Sequence, residues 1–414
     1  MVIENASIVT PERVLEGASI SIVDGVIAVV SEGRLDGCEQ GAPSCRSRRI
    51  DAEGMCVLPG LIDLHSDAIE KEIEPRTGAS FPVNMAIFEI DKKLAGCGIT
   101  TIYHSISYSS NKLSGMRNNE VSNGIVREVN RLAPRLGVRT RVHTRFDITN
   151  SNAVPYLEQL INGREVHLLS VTDHTPGQGQ YRDLIMYAKN SVVMKDMDEA
   201  EKAEHIERRL KAAVPLESEY IWKVVSLCQA RGIPVASHDD HTVEKLDLVF
   251  SNGITISEFP ITMEVTESAT KRGMHVVLGA PNVVRGMSTS NNLDAREAIK
   301  AGYGDILCSD YSPMSILHAV YTVASMGIPL HKAVNMASLN PARAAGISAF
   351  TGSLEEGKSA DLVIVDTSGE VPKVLKTFVE GKEVYSTWRP SNDYGLPAPL
   401  RKCQGCPVGM SLHI

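Results

Sequence analysis

Positive charge is in deficit in this chain. Lys and Arg number 42 against 50 Asp and Glu, for a formal net charge of -8 and a pI near 5.9. That balance argues against a nucleic-acid partner held by general electrostatic attraction. It leaves room for a local basic pocket that takes a phosphorylated small molecule. Long apolar runs are also missing, and none approaches the ~18 residues a membrane span needs. No membrane partner is therefore expected. The opening Met1-Val2-Ile3-Glu4-Asn5 has neither the basic stretch nor the apolar core of a secretory leader. The eight cysteines are scattered, which fits reduced thiols and a cytoplasmic location. Cys403 and Cys406 form a CxxC near the C-terminus, but without a second pair it is weak evidence for a metal or redox site.

What remains is an ordinary globular composition, 43% hydrophobic and 22% charged, over 414 residues. That length suits a large barrel with a smaller companion. Residues 1–58 read as short strands. Among them is a hairpin signal at Asp24-Gly25, where glycine accepts a positive φ. From Pro59 onward, apolar or β-branched runs alternate with helix-like stretches. The strands are expected at Leu61–Leu64, Ile99–Tyr103, Thr140–Phe146, Val166–Val171, Pro234–Ser237, Ile254–Ser257, His275–Leu278 and Asp305–Cys308. Eight βα units predict a (β/α)8 TIM-type barrel over 59–345. Strand-like patterning returns at Leu362–Asp366 and Val374–Val384. The two chain ends, 1–58 and 346–391, are therefore expected to join into one small β-sandwich, with 392–414 as a tail. A charged helical run, Asp198–Leu210, follows the fourth strand and is expected near the barrel mouth, as a solvated surface helix or as a lid. Arg182, Lys189 or Lys195 around it could supply a cationic contact.

Active groups in such barrels come from the C-terminal ends of the strands. Those ends carry His65 and Asp67; His104; His143, Arg145 and Asp147; Asp173 and His174; His238, Asp239 and Asp240; Glu258; Asn282; and Asp310. His65 and Asp67 lie two apart, as do His143 and Arg145, so each pair shares a face of its strand. Any one of these has a bland reading, as a hydrogen-bonded structural histidine or a turn-capping aspartate. Their grouping at one end of successive strands points to a divalent metal. The expected ligands are drawn from His65, Asp67, His143, Asp173, His174, His238, Glu258 and Asp310. Imidazole and carboxylate without thiolate suit Zn²⁺ first, with Mn²⁺ or Fe²⁺ as alternatives, in one or two ions. Asp310 is the expected catalytic base.

Pro59-Gly-Leu-Ile-Asp-Leu-His65, Gly98-Ile-Thr-Thr101, Asn340-Pro-Ala-Arg343 and the stretch Gly352–Asp366 resemble the amidohydrolase superfamily over nearly the whole chain. The resemblance implies the same split β domain and barrel. His238 and Asp310 match its fifth- and eighth-strand ligands. Three positions depart from it. His65-Ser66-Asp67 stands where His-x-His is usual, Asp173-His174 where the fourth strand usually has a lysine, and Glu258 where the sixth often has a histidine. This altered set, with Asp173-His-Thr-Pro-Gly-Gln-Gly179 and Ser237-His-Asp-Asp240, is similar to a branch of the superfamily that serves phosphonate breakdown. The similarity implies hydrolysis of α-D-ribose 1-methylphosphonate 5-triphosphate to the 5-phosphate and diphosphate. Substrate contacts are then expected from Lys71, Arg76, Arg145, Gln178, Arg182 and Asp240. The alternatives are a C–N hydrolase acting on a cyclic or N-acyl amide, and a barrel retained only as an assembly scaffold. Enzymes of this size often associate symmetrically, which favours a homo-oligomer.

Overall fold

A computed structural model describes residues 1–35, 48–109, 117–179, 184, 187–188, 194, 197–211, 213–288 and 292–387. The chain opens with β1 (Val2–Val9), β2 (Val14–Val23), β3 (Val26–Ser31), β4 (Arg49–Asp51) and β5 (Cys56–Pro59). Eight strands follow: β6 (Leu61–Ser66), β7 (Ile99–Tyr108), β8 (Arg139–Asp147), β9 (Leu168–Thr172), β10 (Val235–His238), β11 (Ile256–Glu258), β12 (His275–Gly279) and β13 (Ile306–Cys308). The last three are β14 (Leu362–Asp366), β15 (Lys373–Val379) and β16 (Lys382–Ser386).

Strands β6 to β13 form a parallel sheet in chain order, and it closes on itself. Asp310 N–H donates to the His65 carbonyl at 2.9 Å, and Asp67 N–H to the Asp310 carbonyl at 2.6 Å. Asp63 also braces the seam. Its Oδ1 accepts the backbone N–H of Ser309 at 3.0 Å and of His65 at 3.3 Å. The lower barrel is plugged by Ile62, Leu64, Tyr103, Leu168, Ala236, Ile256, Val277, Ile306 and Cys308. The outward-facing apolar residues of the strands pack against the surrounding helices. Strands β6, β7, β9, β10, β12 and β13 thus split their apolar side chains between plug and helix layer, as a packed barrel requires.

The other eight strands make one mostly antiparallel sheet, ordered β16-β15-β14-β5-β1-β2-β3, with β4 beside β1. The two layers expected of a sandwich are thus halves of a single curled sheet. The chain ends meet where β14 pairs with β5. The β2–β3 and β15–β16 hairpins have two-residue turns with positive φ, Asp24-Gly25 and Glu380-Gly381, the geometry that matches strand twist. The curl brings these two tips together. A Cβ on Gly25 would lie 2.8 Å from the Glu380 carbonyl oxygen, so no side chain fits there. Inside the curl, Ile20, Ile22 and Ile27 share one apolar core with Leu362, Ile364 and Phe378. Arg139, at the start of β8, joins this sheet to the barrel bottom through Asp361 at 2.7 Å and Glu380 at 3.1 Å. Gly60, between β5 and β6, passes so close to Thr100 that a Cβ would fall 2.1 Å from its Oγ1. Among the described residues no helix is long and apolar enough to cross a membrane.

Candidate metal centre and substrate cavity

Two local backbone features aim the side chains at the barrel mouth. The first is in β6. Ile62 and Leu64 point into the barrel plug, so strict alternation would send His65 outward. Between the pairs Asp63↔Ile102 and Ser66↔His104, however, β6 uses three residues where β7 uses two. That extra residue is a bulge, and it inverts the alternation. His65 and Asp67 therefore both face the mouth. The second feature is a left-handed residue beyond three strand ends: Asp239 (φ 51), Phe259 (φ 53) and Asp310 (φ 57). Each gives its N–H to the next strand, Asp239 to Glu258 O, Phe259 to Val277 O and Asp310 to His65 O. Such backbone costs of order 1–3 kcal/mol per residue and persists where the surroundings hold it.

Four imidazoles are held by their Nδ1 atoms. His65 and His238 place Nδ1 3.2 Å from the same oxygen, Oε2 of the buried Glu258. His143 donates from Nδ1 to the Leu64 carbonyl at 2.9 Å. His174 sets Nδ1 3.3 Å from Asp147 Oδ2. An acceptor at Nδ1 fixes the tautomer with the lone pair on Nε2, the form that binds a cation. Phe259 packs edge-on against both His65 and His238, at 5.1 and 5.2 Å between ring centres, and limits their rotation.

The Nε2 atoms face carboxylates at metal-bridging distances. His143 Nε2 and Glu258 Oε1 are both buried without a hydrogen-bond partner and lie 3.9 Å apart. His65 Nε2 is 3.9 Å from Asp67 Oδ1, and His238 Nε2 is 3.7 Å from Asp239 Oδ2. Ligands about 2.0–2.2 Å from one ion are separated by such distances. Two orphaned acceptors facing each other in the interior are costly unless a cation joins them. Three sets could hold an ion: His65, His238 and Glu258; His65, Asp67 and Asp310; and His174, His238 and Asp239. The residues present fit a divalent metal. Thiolate is absent from these sets, and burial pushes the Cys308 thiol beneath them well above its usual range.

The electrostatics agree. Burial raises the Glu258 carboxyl, yet the imidazoles of His65, His143 and His238 hold it well below the ordinary carboxylate range. Burial lowers His143 to about 3 and lowers His238 as well, so both are neutral near pH 7. His65 is also penalised by burial, but Glu258 pulls its pKa above 6.5. The field that holds a proton there favours a cation. Burial lifts Asp310 to about 6, with Asp67 and Asp239 adding to the push. Asp67 is the opposite case. Burial works against its charge, but Arg145 brings it down to about 2, through two bonds from Nη1 at 3.1 and 3.0 Å.

A cavity of about 260 Å³ opens above these groups. Its wall includes His65, Asp67, Arg145, His174, His238 and Asp310. His143 and Glu258 lie just beneath it, in contact with its histidines. Asp173 is half-buried and uses Oδ1 to accept Thr175 N–H. Lys71, Arg76, Gln178 and Asp240 are not on the wall. Lys71 lies over the Tyr311 ring at 4.7 Å, and Arg76 is exposed. Asp240 faces away, taking the hydroxyls of Ser237 at 2.5 Å and Ser257 at 2.7 Å beside Lys245 at 3.2 Å. Its neighbour Asp239 lines the cavity instead, because the left-handed turn rotates it there. His104, of opposite parity to Tyr103, faces the helix layer. Arg182, Lys189, Lys195 and the CxxC pair lie outside the described residues. The charged run forms the helix Glu199–Lys211. Its Arg209 donates to the His174 carbonyl at 3.1 Å, which sets the helix beside the mouth. Sequence reasoning missed Arg117 and the apolar wall of Phe259, Pro260, Ile261, Leu278 and Leu293. Arg117 follows a polar stretch with no periodic signal, and the apolar residues read as ordinary core.

A model of the amidohydrolase family matches residues 194–388. The alpha-D-ribose 1-methylphosphonate 5-triphosphate diphosphatase of Escherichia coli (strain K12) is 32% identical over 395 residues, 93% of this chain and 100% of its own length. An imidazolonepropionase of Porphyromonas gingivalis is 25% identical over 379 residues, 85% of this chain and 84% of its own. The crystal structure of a beta-aspartyl dipeptidase from Fervidobacterium islandicum AW-1 superposes with a TM-score of 0.61, covering 93% of this chain and 96% of its own at 17% identity. That last likeness is one of fold alone.

Proposed function

The chain belongs to the amidohydrolase family, and we propose that within it the protein is a metal-dependent diphosphatase. Its substrate in this reading is α-D-ribose 1-methylphosphonate 5-triphosphate. One water is consumed, the anhydride between the α- and β-phosphoryl groups breaks, and the 5-phosphate and diphosphate leave. The observation that carries the reading is the end-to-end match with the Escherichia coli diphosphatase. Further support comes from a cavity whose wall pairs carboxylates with two guanidiniums, Arg117 and Arg145, a setting suited to a polyanion.

His65, His143, His238 and Glu258, with Asp67, Asp310, His174 and Asp239, are the residues that would hold one or two ions. A divalent ion there, Zn²⁺ first and Mn²⁺ or Fe²⁺ as alternatives, acidifies water and neutralises phosphoryl charge. Asp310, with its carboxyl near 6, accepts the proton of the attacking water. Glu258 and Asp147 hold the imidazoles in their ligand tautomers. Arg145 fixes Asp67, and Phe259 keeps bulk water from one side of the histidines.

Protein stripped with a chelator and reloaded with Zn²⁺ or Mn²⁺ should release one diphosphate per 5-triphosphate consumed. Orthophosphate as the sole product, or no turnover with any of these metals, rejects the proposal. A second reading, C–N hydrolysis, is favoured by the similarity to imidazolonepropionase. Opening of cyclic or N-acyl amides without diphosphate release would establish it.

A further inference from the structure

Arg117 and Arg145 both reach the cavity, but they are not equivalent. Arg145 is 6% exposed at its side chain, and its Nη1 is taken by both oxygens of Asp67. Its Nη2 lies 3.5 Å from His238 Nε2. It is a wall-building cation. Arg117 is 36% exposed. Its Nε and Nη2 donate to Glu70 Oε2 at 3.0 and 2.8 Å, and Nη2 is 3.6 Å from Asp67 Oδ2. A guanidinium has five N–H bonds in a rigid fork. Glu70 uses two, so three remain for a ligand. Glu70 is itself 14% exposed and hence a firm clamp. The fork is oriented before any ligand arrives, which reduces the entropy lost on binding.

The cavity is also polarised. Arg117, Asp67 and Arg145 stand on the β6–β8 side. Phe259, Pro260, Ile261, Leu278 and Leu293 stand across from them, on the β11–β12 side, with the amide of Asn282 among them. A molecule with one densely anionic end, and another end that combines a single phosphonate charge with a methyl group and ribose carbons, fits this cavity in one direction. Formal charge does not drive it, because Asp67 and Glu70 balance the two arginines. The discrimination lies in directed donors on one wall and apolar surface on the other.

We infer that Arg117 is the residue that binds the departing diphosphate, and that the ribose and methylphosphonate end of the substrate lies against the Phe259–Leu293 wall, with the Asn282 amide donating to the singly charged phosphonate. The inference rests on the diphosphatase reading and assigns the direction in which that substrate enters. The scissile phosphoryl group then lies between the two walls, beside His65 and Asp310.

The test uses metal-loaded full-length protein. Arg117→Met should weaken diphosphate, measured as a product inhibitor and by calorimetry, by roughly 10- to 100-fold, the loss expected for charged hydrogen bonds. Metal content should be unchanged, and inhibition by the ribosyl 5-phosphate product should move less than about threefold. Arg117→Lys should fall between, because it keeps the charge but not the fork. Asn282→Leu should reverse the pattern, weakening the ribosyl product and sparing diphosphate. Unchanged diphosphate affinity in both Arg117 variants overturns the inference. So does Asn282→Leu weakening diphosphate as much as the sugar phosphate. Should the wild-type protein release no diphosphate from the triphosphate, the functional reading fails. Diphosphate calorimetry on the wild type and the Arg117 variants still decides the role of Arg117 as an anion contact.

Discussion

Replacing Glu258 with Gln probes the centre at its most connected point. The carboxylate is fully buried, and one of its oxygens sits 3.2 Å from Nδ1 of both His65 and His238. The other faces His143 Nε2 at 3.9 Å. Glutamine keeps the shape but removes the charge, and offers N–H donors to whichever histidine meets its nitrogen. A hydrogen bond to a charged group contributes roughly 1.5–3 kcal/mol. Two such bonds weakened, with one oxygen retained, give a net loss of about 2–3 kcal/mol. In a chain of 414 residues that is a fall of about 2–4 °C in Tm, roughly 1 °C per kcal/mol. Metal affinity should fall at least ~10- to 100-fold, the usual result when a carboxylate that orients ligating histidines is removed. The assays are competition with a chromogenic chelator for metal affinity and calorimetry for Tm. Unchanged metal affinity in a folded Glu258→Gln protein would refute the claim that this carboxylate organises the histidines.

Other outcomes follow from the same geometry. Asp310→Asn should keep the fold and most of the metal while kcat drops by roughly 10²- to 10⁴-fold, as for a lost general base; near-normal kcat would remove Asp310 from that role. Asp67→Asn leaves the buried Arg145 guanidinium uncompensated and should destabilise by about 3–5 kcal/mol. Asp67→Asn combined with Arg145→Met should recover part of that loss in denaturant melts, and strict additivity would show the pair to be uncoupled. His104 gives a pH dependence separate from the site. Its pKa falls from 6.5 to about 4 on burial, so the unfolded chain takes up this proton first as pH drops. Stability from His104 is whole above pH 6.5 and shrinks between 6.5 and 4, by about 2 kcal/mol at pH 5. His104→Leu should flatten that part of the stability profile, and an unchanged slope would contradict the burial argument.

The fold was largely legible from pattern. Eight apolar runs separated by helical stretches defined the barrel, and strand-like patterning at both ends of the chain marked the two segments that join through β5 and β14. Alternation also grouped His143, Arg145 and Asp147 on one face of β8. Alternation failed where backbone geometry overrides it. A bulge in β6 brings His65 and Asp67 to the mouth although Ile62 and Leu64 already occupy the inward parity. The left-handed turn after β10 exchanges Asp239 for Asp240 at the cavity. Neither leaves a mark in residue type. Arg117 was hidden for another reason: it reaches the cavity from a connecting segment, and its partners Glu70 and Asp67 are about fifty residues away. Ion pairs of that kind follow from tertiary structure, not from spacing.

The claim that this cavity hydrolyses a phosphoric anhydride with a bound metal is tested most directly by phosphorus NMR in ¹⁸O-enriched water. Metal-loaded protein and α-D-ribose 1-methylphosphonate 5-triphosphate should give only the 5-phosphate and diphosphate, with the isotope shift in one of them. A chelator should stop the reaction, and metal should restore it. A triphosphate that stays intact after reloading, while the same preparation opens a cyclic or N-acyl amide, would contradict the account.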